Sequence, residues 1–221
     1  MAHPFAAYVQ RMSSSPESPR RVPQQARGHE RAQRILDGCA RLIVAKGMAG
    51  VTMNAIAKES STAIGSLYHF FPNKEAVVNA LGQRHIHALN ELMKQIRRIS
   101  AQEWIEMATP EVVLRLAMPL VEYLAANPDC LIATDSEPKD MVGSSELVED
   151  IVRTYDFAFR ARMPQYDEHQ RKRQVMATLA LPIGILQMRK EDSILRAEIL
   201  EHELPCILLR YISGLELSEL G

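Results

Sequence analysis

From Glu30 almost to the end of the chain, apolar residues recur in steps of three and four. The first such set is Ala32, Ile35, Leu36, Cys39, Leu42 and Ile43, which lines one side of a helix. A half-buried strand hides a side chain at every second position, and few runs here alternate that way. This feature predicts an all-α chain. The expected helices cover about 30–46, 52–59, 63–70 and 74–98, then 110–126, 128–135, 145–163, 167–190 and 194–213.

The breaks between the first helices are informative. Gly47 is a natural stop for the first. Thr52 can cap the second through its hydroxyl, and Ile56 with Ala57 gives that helix an inner face. Ser60-Ser61-Thr62 then makes a three-residue turn. Pro72 ends the third helix, because proline disfavours helical geometry in the residue before it. Asn73 can cap the fourth, with Glu75 near its positive N-terminal end. Two short helices joined by a tight turn, with a helix before and after, form a helix-turn-helix. The second reads Ala63-Ile64-Gly65-Ser66-Leu67-Tyr68-His69-Phe70. Its spacing turns Leu67 and Phe70–Phe71 inward and leaves Ile64, Gly65, Ser66, Tyr68 and His69 outside or at the rim. Its side chains are small enough for a DNA major groove about 12 Å wide.

Charge first argues against nucleic acid, since the 221 residues sum to a formal net charge of −1. The average hides a gradient. Residues 1–100 carry 14 Lys and Arg against 6 Asp and Glu, a net of +8; residues 101–221 carry 12 against 21, a net of −9. A basic half joined to an acidic half implies two modules with different partners. The expected division is a disordered basic arm at 1–28, a DNA-binding domain at 29–75 and a helical domain at 76–221. The arm is rich in Pro and Ser and carries Arg11, Arg20, Arg21 and Arg27.

Other classes are disfavoured. No apolar run approaches the roughly 18–20 residues that cross a bilayer. Met1-Ala2-His3-Pro4-Phe5 lacks the basic and apolar regions of a secretory signal. Cys39, Cys130 and Cys206 are odd in number and far apart, so neither a disulfide framework nor a zinc site is expected, and a reducing cytoplasm is. His85 and His87 point apart on a helix and cannot share a metal. Glu198 and His202 could, but a surface pair is the simpler reading. Cys130, near a helix start, is either a redox sensor or a buried structural thiol, the second being the better reading. No Gly-rich phosphate loop or nucleophile elbow occurs. No catalytic residue, metal or cofactor is expected.

Thr52-Met53-Asn54-Ala55-Ile56-Ala57 followed by Gly65-Ser66-Leu67-Tyr68-His69-Phe70-Phe71-Pro72-Asn73-Lys74-Glu75 resembles the signature of the TetR family of transcriptional regulators. The resemblance covers about residues 30–78; beyond 98 only the helical plan is similar. It implies an N-terminal three-helix DNA-binding domain and a C-terminal helical domain that binds a ligand and pairs two subunits. Thr52, Tyr68, His69 and Lys74 are the expected phosphate contacts. Gly65 lets the backbone approach DNA closely. Base reading falls to Ile64, Ser66 and the neighbouring Thr62 and Ala63, with a thymine methyl suiting Ile64. Arg27 can reach the adjacent minor groove.

The chain departs from the family in three places. Ser61 stands where glycine is frequent; left-handed geometry costs a non-Gly residue roughly 1 kcal/mol, so the turn is expected to differ slightly. Ala63 replaces the usual Ser or Thr cap, leaving Thr62 as the alternative. Ile64 replaces a frequent Lys.

In the acidic half, Trp104, Met107, Met118, Tyr123, Phe157 and Met176 are candidate pocket residues, although each also serves as ordinary core. Pro119 breaks a helical ladder and can free a carbonyl. Pro182 and Pro205 imply kinks. Val175, Leu179, Pro182, Ile183 and Leu186 on one helix, with Ile199, Leu200, Leu204, Ile207, Leu208 and Tyr211 on the next, either build a twofold four-helix bundle or close one subunit's own core. The expected protein is a homodimeric repressor on a pseudo-palindromic operator, released by an unidentified small molecule and independent of membranes. The alternatives are a co-repressor or activator mode and a ligand-binding helical protein with no DNA role.

Overall fold

The computed structural model describes residues 24–132, 145–188 and 193–218, and every regular element among them is a helix. The N-terminal half holds α1 (Gln24–Lys46), a 3₁₀ turn (Met48–Gly50), α2 (Met53–Glu59), α3 (Ile64–Phe70) and α4 (Lys74–Ile96). There follow α5 (Ala101–Glu106), α6 (Thr109–Val112), a π-turn (Val113–Ala117), α7 (Met118–Ala126) and α8 (Asp129–Ile132). Then come α9 (Ser145–Arg162), α10 (Glu168–Leu186), α11 (Ser193–Glu198), a second π-turn (Ile199–Glu203) and α12 (Leu204–Leu217). The chain divides into two compact units, Met1–Arg34 and Ile35–Gly221; the described part of the first is the opening of α1.

Two separate apolar clusters fill the second unit. The headpiece cluster joins Ile35, Leu36, Cys39, Leu42 and Ile43 of α1 to Ile56 of α2, Leu67 of α3, and Val77, Val78 and Leu81 of α4. The larger cluster runs from Leu89, Met93 and Ile96 of α4 to Trp104, Leu116, Leu120, Tyr155, Phe159, Met163, Val175 and Leu208. One helix, α4, thus contributes its first turns to one core and its last turns to the other. No helix among the described residues is long and apolar enough to cross a membrane.

Several expectations need correction. Helix α1 starts at Gln24, so residues 24–28 are not arm but helix; Gln, Ala and Arg are good helix formers and extend the pattern backwards. Residues 1–23, with Arg11, Arg20 and Arg21, lie outside the described residues, as do 133–135 and 189–190 of the expected helices. Helix α5 was not expected. Its sequence sign was the capping box of Ser100 and Glu103, each bonded to the other's backbone N–H. The two π-turns were not expected either. Each ends just before a proline, Pro119 or Pro205, in the first turn of the next helix. Proline has no N–H and its ring crowds the carbonyl four residues back, and a widened turn relieves both. Pro182 lies inside α10.

Candidate functional site

The headpiece is built around a close crossing. A Cβ on Gly38 would lie 2.9 Å from Ser60 Cβ and 3.0 Å from Ser60 N. Only glycine therefore lets α1 meet the end of α2 this tightly. Arg41 of α1 adds an ion pair to the Glu59 carboxylate at 2.7 Å and a bond to the Glu59 carbonyl.

The turn between α2 and α3 is a complete Schellman motif. Thr62 N–H donates to Ala57 O, Ser61 N–H donates to Lys58 O, and Ser61 sits in the left-handed region at φ 50°. Serine carries the left-handed geometry itself. Ser60, buried, returns its hydroxyl to Ile56 O at 2.7 Å. Thr52 caps α2 by accepting from Ala55 N–H, and Asn73 caps α4 by accepting from Ala76 N–H. Thr62 does not cap α3. Its hydroxyl donates to Ser60 O, and α3 starts at Ala63 with no side-chain cap.

Helix α3 has one buried anchor, Leu67, at 0% exposure. Phe70 and Phe71 close the headpiece core at its end. Ala63, Ile64, Gly65, Tyr68 and His69 are exposed, Tyr68 by 52% and Ile64 by 40%. Ser66, Thr62 and Lys74 are half-buried, and Thr52 and Arg27 are exposed. A Cβ on Gly65 would meet nothing within 4 Å. The fold itself does not need glycine there.

The candidate pocket residues do not all come together. Trp104 is buried in the large cluster, and Met107, Met118 and Tyr123 pack against that cluster. Phe157 and Met176 are 43% and 46% exposed. Their neighbours Ala158, Phe159 and Val175 take the inward positions, and a step of about 100° per residue turns Phe157 and Met176 out. Val175, Leu179, Leu204 and Leu208 likewise belong to the chain's own core. The outward stripe of α10 is instead Met176, Ala177, Ala180, Leu181 and Gly184, and α12 exposes Ile207.

Three polar features of the helical core were not read from sequence. Arg162 bonds the Glu216 carboxylate, Thr109 and the carbonyls of Trp104 and Met107, tying α5, α6, α9 and α12. Gln174 lies buried on the core-facing stripe of α10, and its Oε1 has no hydrogen-bond partner. His85, Tyr123 and Asp129 form a hydrogen-bonded network. Only His85 gave a sign, as a histidine on the apolar face of α4 between Leu81 and Leu89.

Burial pushes the Cys39 and Cys130 thiols up to about 12, which keeps both protonated and unreactive near neutrality. Among the described residues, no group of three or more His, Cys, Asp or Glu side chains could hold a metal ion.

Residues 35–81 match the family described as "Bacterial regulatory proteins, tetR family". The chain is 40% identical over 55 residues to the HTH-type transcriptional repressor KstR of Mycolicibacterium smegmatis, a match that covers 24% of this chain and 27% of KstR. The chain thus matches only about a quarter of the length of that curated relative. Among solved structures, the fatty acid degradation regulator FadR of Bacillus halodurans superposes with TM-score 0.56 at 16% identity, covering 89% of this chain and 96% of FadR. FadR of Bacillus subtilis, solved in complex with stearoyl-CoA, gives TM-score 0.55 at 14% identity over 85% of this chain and 99% of its own. At these identities the two superpositions show the shared all-helical fold.

Proposed function

We propose that this chain, whose residues 35–81 match the tetR family of bacterial regulatory proteins, is a member of that family and a sequence-specific DNA-binding transcriptional regulator. The observation that carries this reading is α3, a short helix anchored by Leu67 whose outer face leaves Ile64, Gly65, Tyr68 and His69 exposed. Gly65 is the sharpest part of it. Its side-chain space is empty, so the absence of a Cβ serves an approaching surface better than it serves the fold. Phosphate contacts fall to Thr52, Tyr68, His69 and Lys74, base contacts to Ile64, Ser66, Thr62 and Ala63, and a flanking contact to Arg27. Thr52 accepts a bond in capping α2 and keeps its O–H free to donate. The acidic half resists DNA, which orients binding through the basic half.

The mode is repression, relieved by a small molecule held among the C-terminal helices. KstR is a repressor, and FadR of Bacillus subtilis holds stearoyl-CoA within the same fold. Trp104, Met107, Met118 and Tyr123 suit an apolar effector, and the unpaired Gln174 oxygen suits a donor on it. Two copies pair through the outer stripe of α10 and Ile207 of α12, where alanine and glycine allow close helix approach. The pair reads a pseudo-palindromic operator in the cytoplasm. The protein acts by binding and not by catalysis.

Binding to DNA fragments from around its own gene tests the reading. The logarithm of the affinity should fall linearly with log salt, because each neutralised phosphate releases counterions. Absent or salt-indifferent binding overturns it.

A further inference from the structure

At its middle α4 passes from one apolar core to the other, and there the helix carries a histidine. Leu81, His85 and Leu89 follow one another at four-residue steps on its inner face. Leu81 belongs to the headpiece core and Leu89 to the large one. His85 is 2% exposed and is held at both ring nitrogens. Nδ1 lies 2.7 Å from the Tyr123 hydroxyl of α7, and Nε2 lies 2.8 Å from Asp129 Oδ2 at the start of α8. The His85 and Tyr123 rings meet edge-on at 6.0 Å.

The network is complete in one protonation pattern. Tyr123 O–H donates to Nδ1, and Nε2–H donates to the Asp129 carboxylate. Burial raises the Tyr123 hydroxyl to about 12, which keeps it a donor. The segment bearing Asp129 is itself fixed, since Asn127 N–H and its side-chain amide both donate to Tyr123 O. On the other side of the junction, Arg84 bonds Asp37 of α1 at 2.6 Å. Adjacent residues of α4 therefore grip the headpiece and the helical domain in turn. A buried polar group that loses a partner is costly, so this joint favours one arrangement over intermediate ones.

We propose that His85, Tyr123 and Asp129 are positioning residues for DNA binding: their hydrogen-bonded bridge holds α4, and with it α3, in the operator-binding arrangement. Tyr123 is also the point at which an effector would act. Its ring packs against the large core while its hydroxyl holds His85, so an occupant that displaces the ring breaks the bridge. The inference rests on the regulator reading above.

The test uses the full-length protein and a duplex that it selects from a random-sequence pool. Tyr123→Phe keeps the ring and removes the hydroxyl. It should weaken binding to the selected duplex about tenfold, within the range of typical coupling between sites. Binding to an unselected duplex should stay within about twofold, because non-specific contact needs no fixed placement of two headpieces. Asp129→Asn gives a second variant, and its effect combined with Tyr123→Phe should be less than the product of the two alone, as members of one network behave. Unchanged affinity of Tyr123→Phe for the selected duplex overturns the bridge alone. Equal loss on both duplexes also overturns it, since that is the mark of a merely destabilised fold. A wild-type protein that enriches no sequence overturns the regulator reading, and the bridge's role falls with it.

Discussion

Ser61 and Gly38 show how single residues set the headpiece turn. Gly38 is required, since any Cβ there would collide with Ser60. Ser61 is tolerated at a cost. It holds φ 50° because both Schellman bonds, from Thr62 N–H to Ala57 O and from Ser61 N–H to Lys58 O, close only in that geometry. Ser61→Gly should remove the strain while adding some freedom to the unfolded chain. The expected net is a gain of about 0.5–1 kcal/mol, read as a higher urea midpoint with unchanged slope. A loss of stability would show that the serine side chain contributes more than its backbone costs.

At the scale of the element, the proposed reading divides affinity and specificity among the seven residues of α3. Tyr68 is exposed enough to reach a phosphate without supporting the core. Tyr68→Ala should weaken binding on all sequences alike and reduce the slope against log salt, measured by titration of labelled duplexes. Ile64 is exposed on α3 and is proposed to read a base, so Ile64→Lys should instead change which sequences are preferred in a selection experiment. Equal losses on every sequence would remove Ile64 from the reading face. The π-turns before Pro119 and Pro205 belong to the same scale. The prolines are plain in the sequence, but whether a helix answers a proline by kinking, stopping or widening depends on what packs around it.

For the whole molecule, the issue is which apolar surface remains after the chain has closed its own core. Val175, Leu179, Leu204 and Leu208 are used internally. Met176, Leu181 and Ile207 remain outside, beside the small residues Ala177, Ala180 and Gly184. Leu181→Glu places a charge on this surface and removes nothing from the core. It should convert the proposed dimer to a folded monomer in light-scattering chromatography, and the monomer should lose most operator affinity, since one headpiece meets only one half-site. A variant that remains dimeric places the pairing surface elsewhere.

The helical class, the helix-turn-helix and the inward role of Leu67 follow from the sequence, because period, caps and turn residues act over a few neighbouring positions. The charge division is equally legible, since it is a sum along the chain. Which side of a long apolar helix faces the core is not. Phe157 and Met176 looked like pocket residues and lie outside, because α9 and α10 each offer more apolar positions than one core can take. The bridge of His85, Tyr123 and Asp129 joins positions 38 and 44 residues apart. Only the packing of α4 against α7 and α8 brings them within hydrogen-bond reach, and a histidine buried between two cores has meaning only once its partners are known.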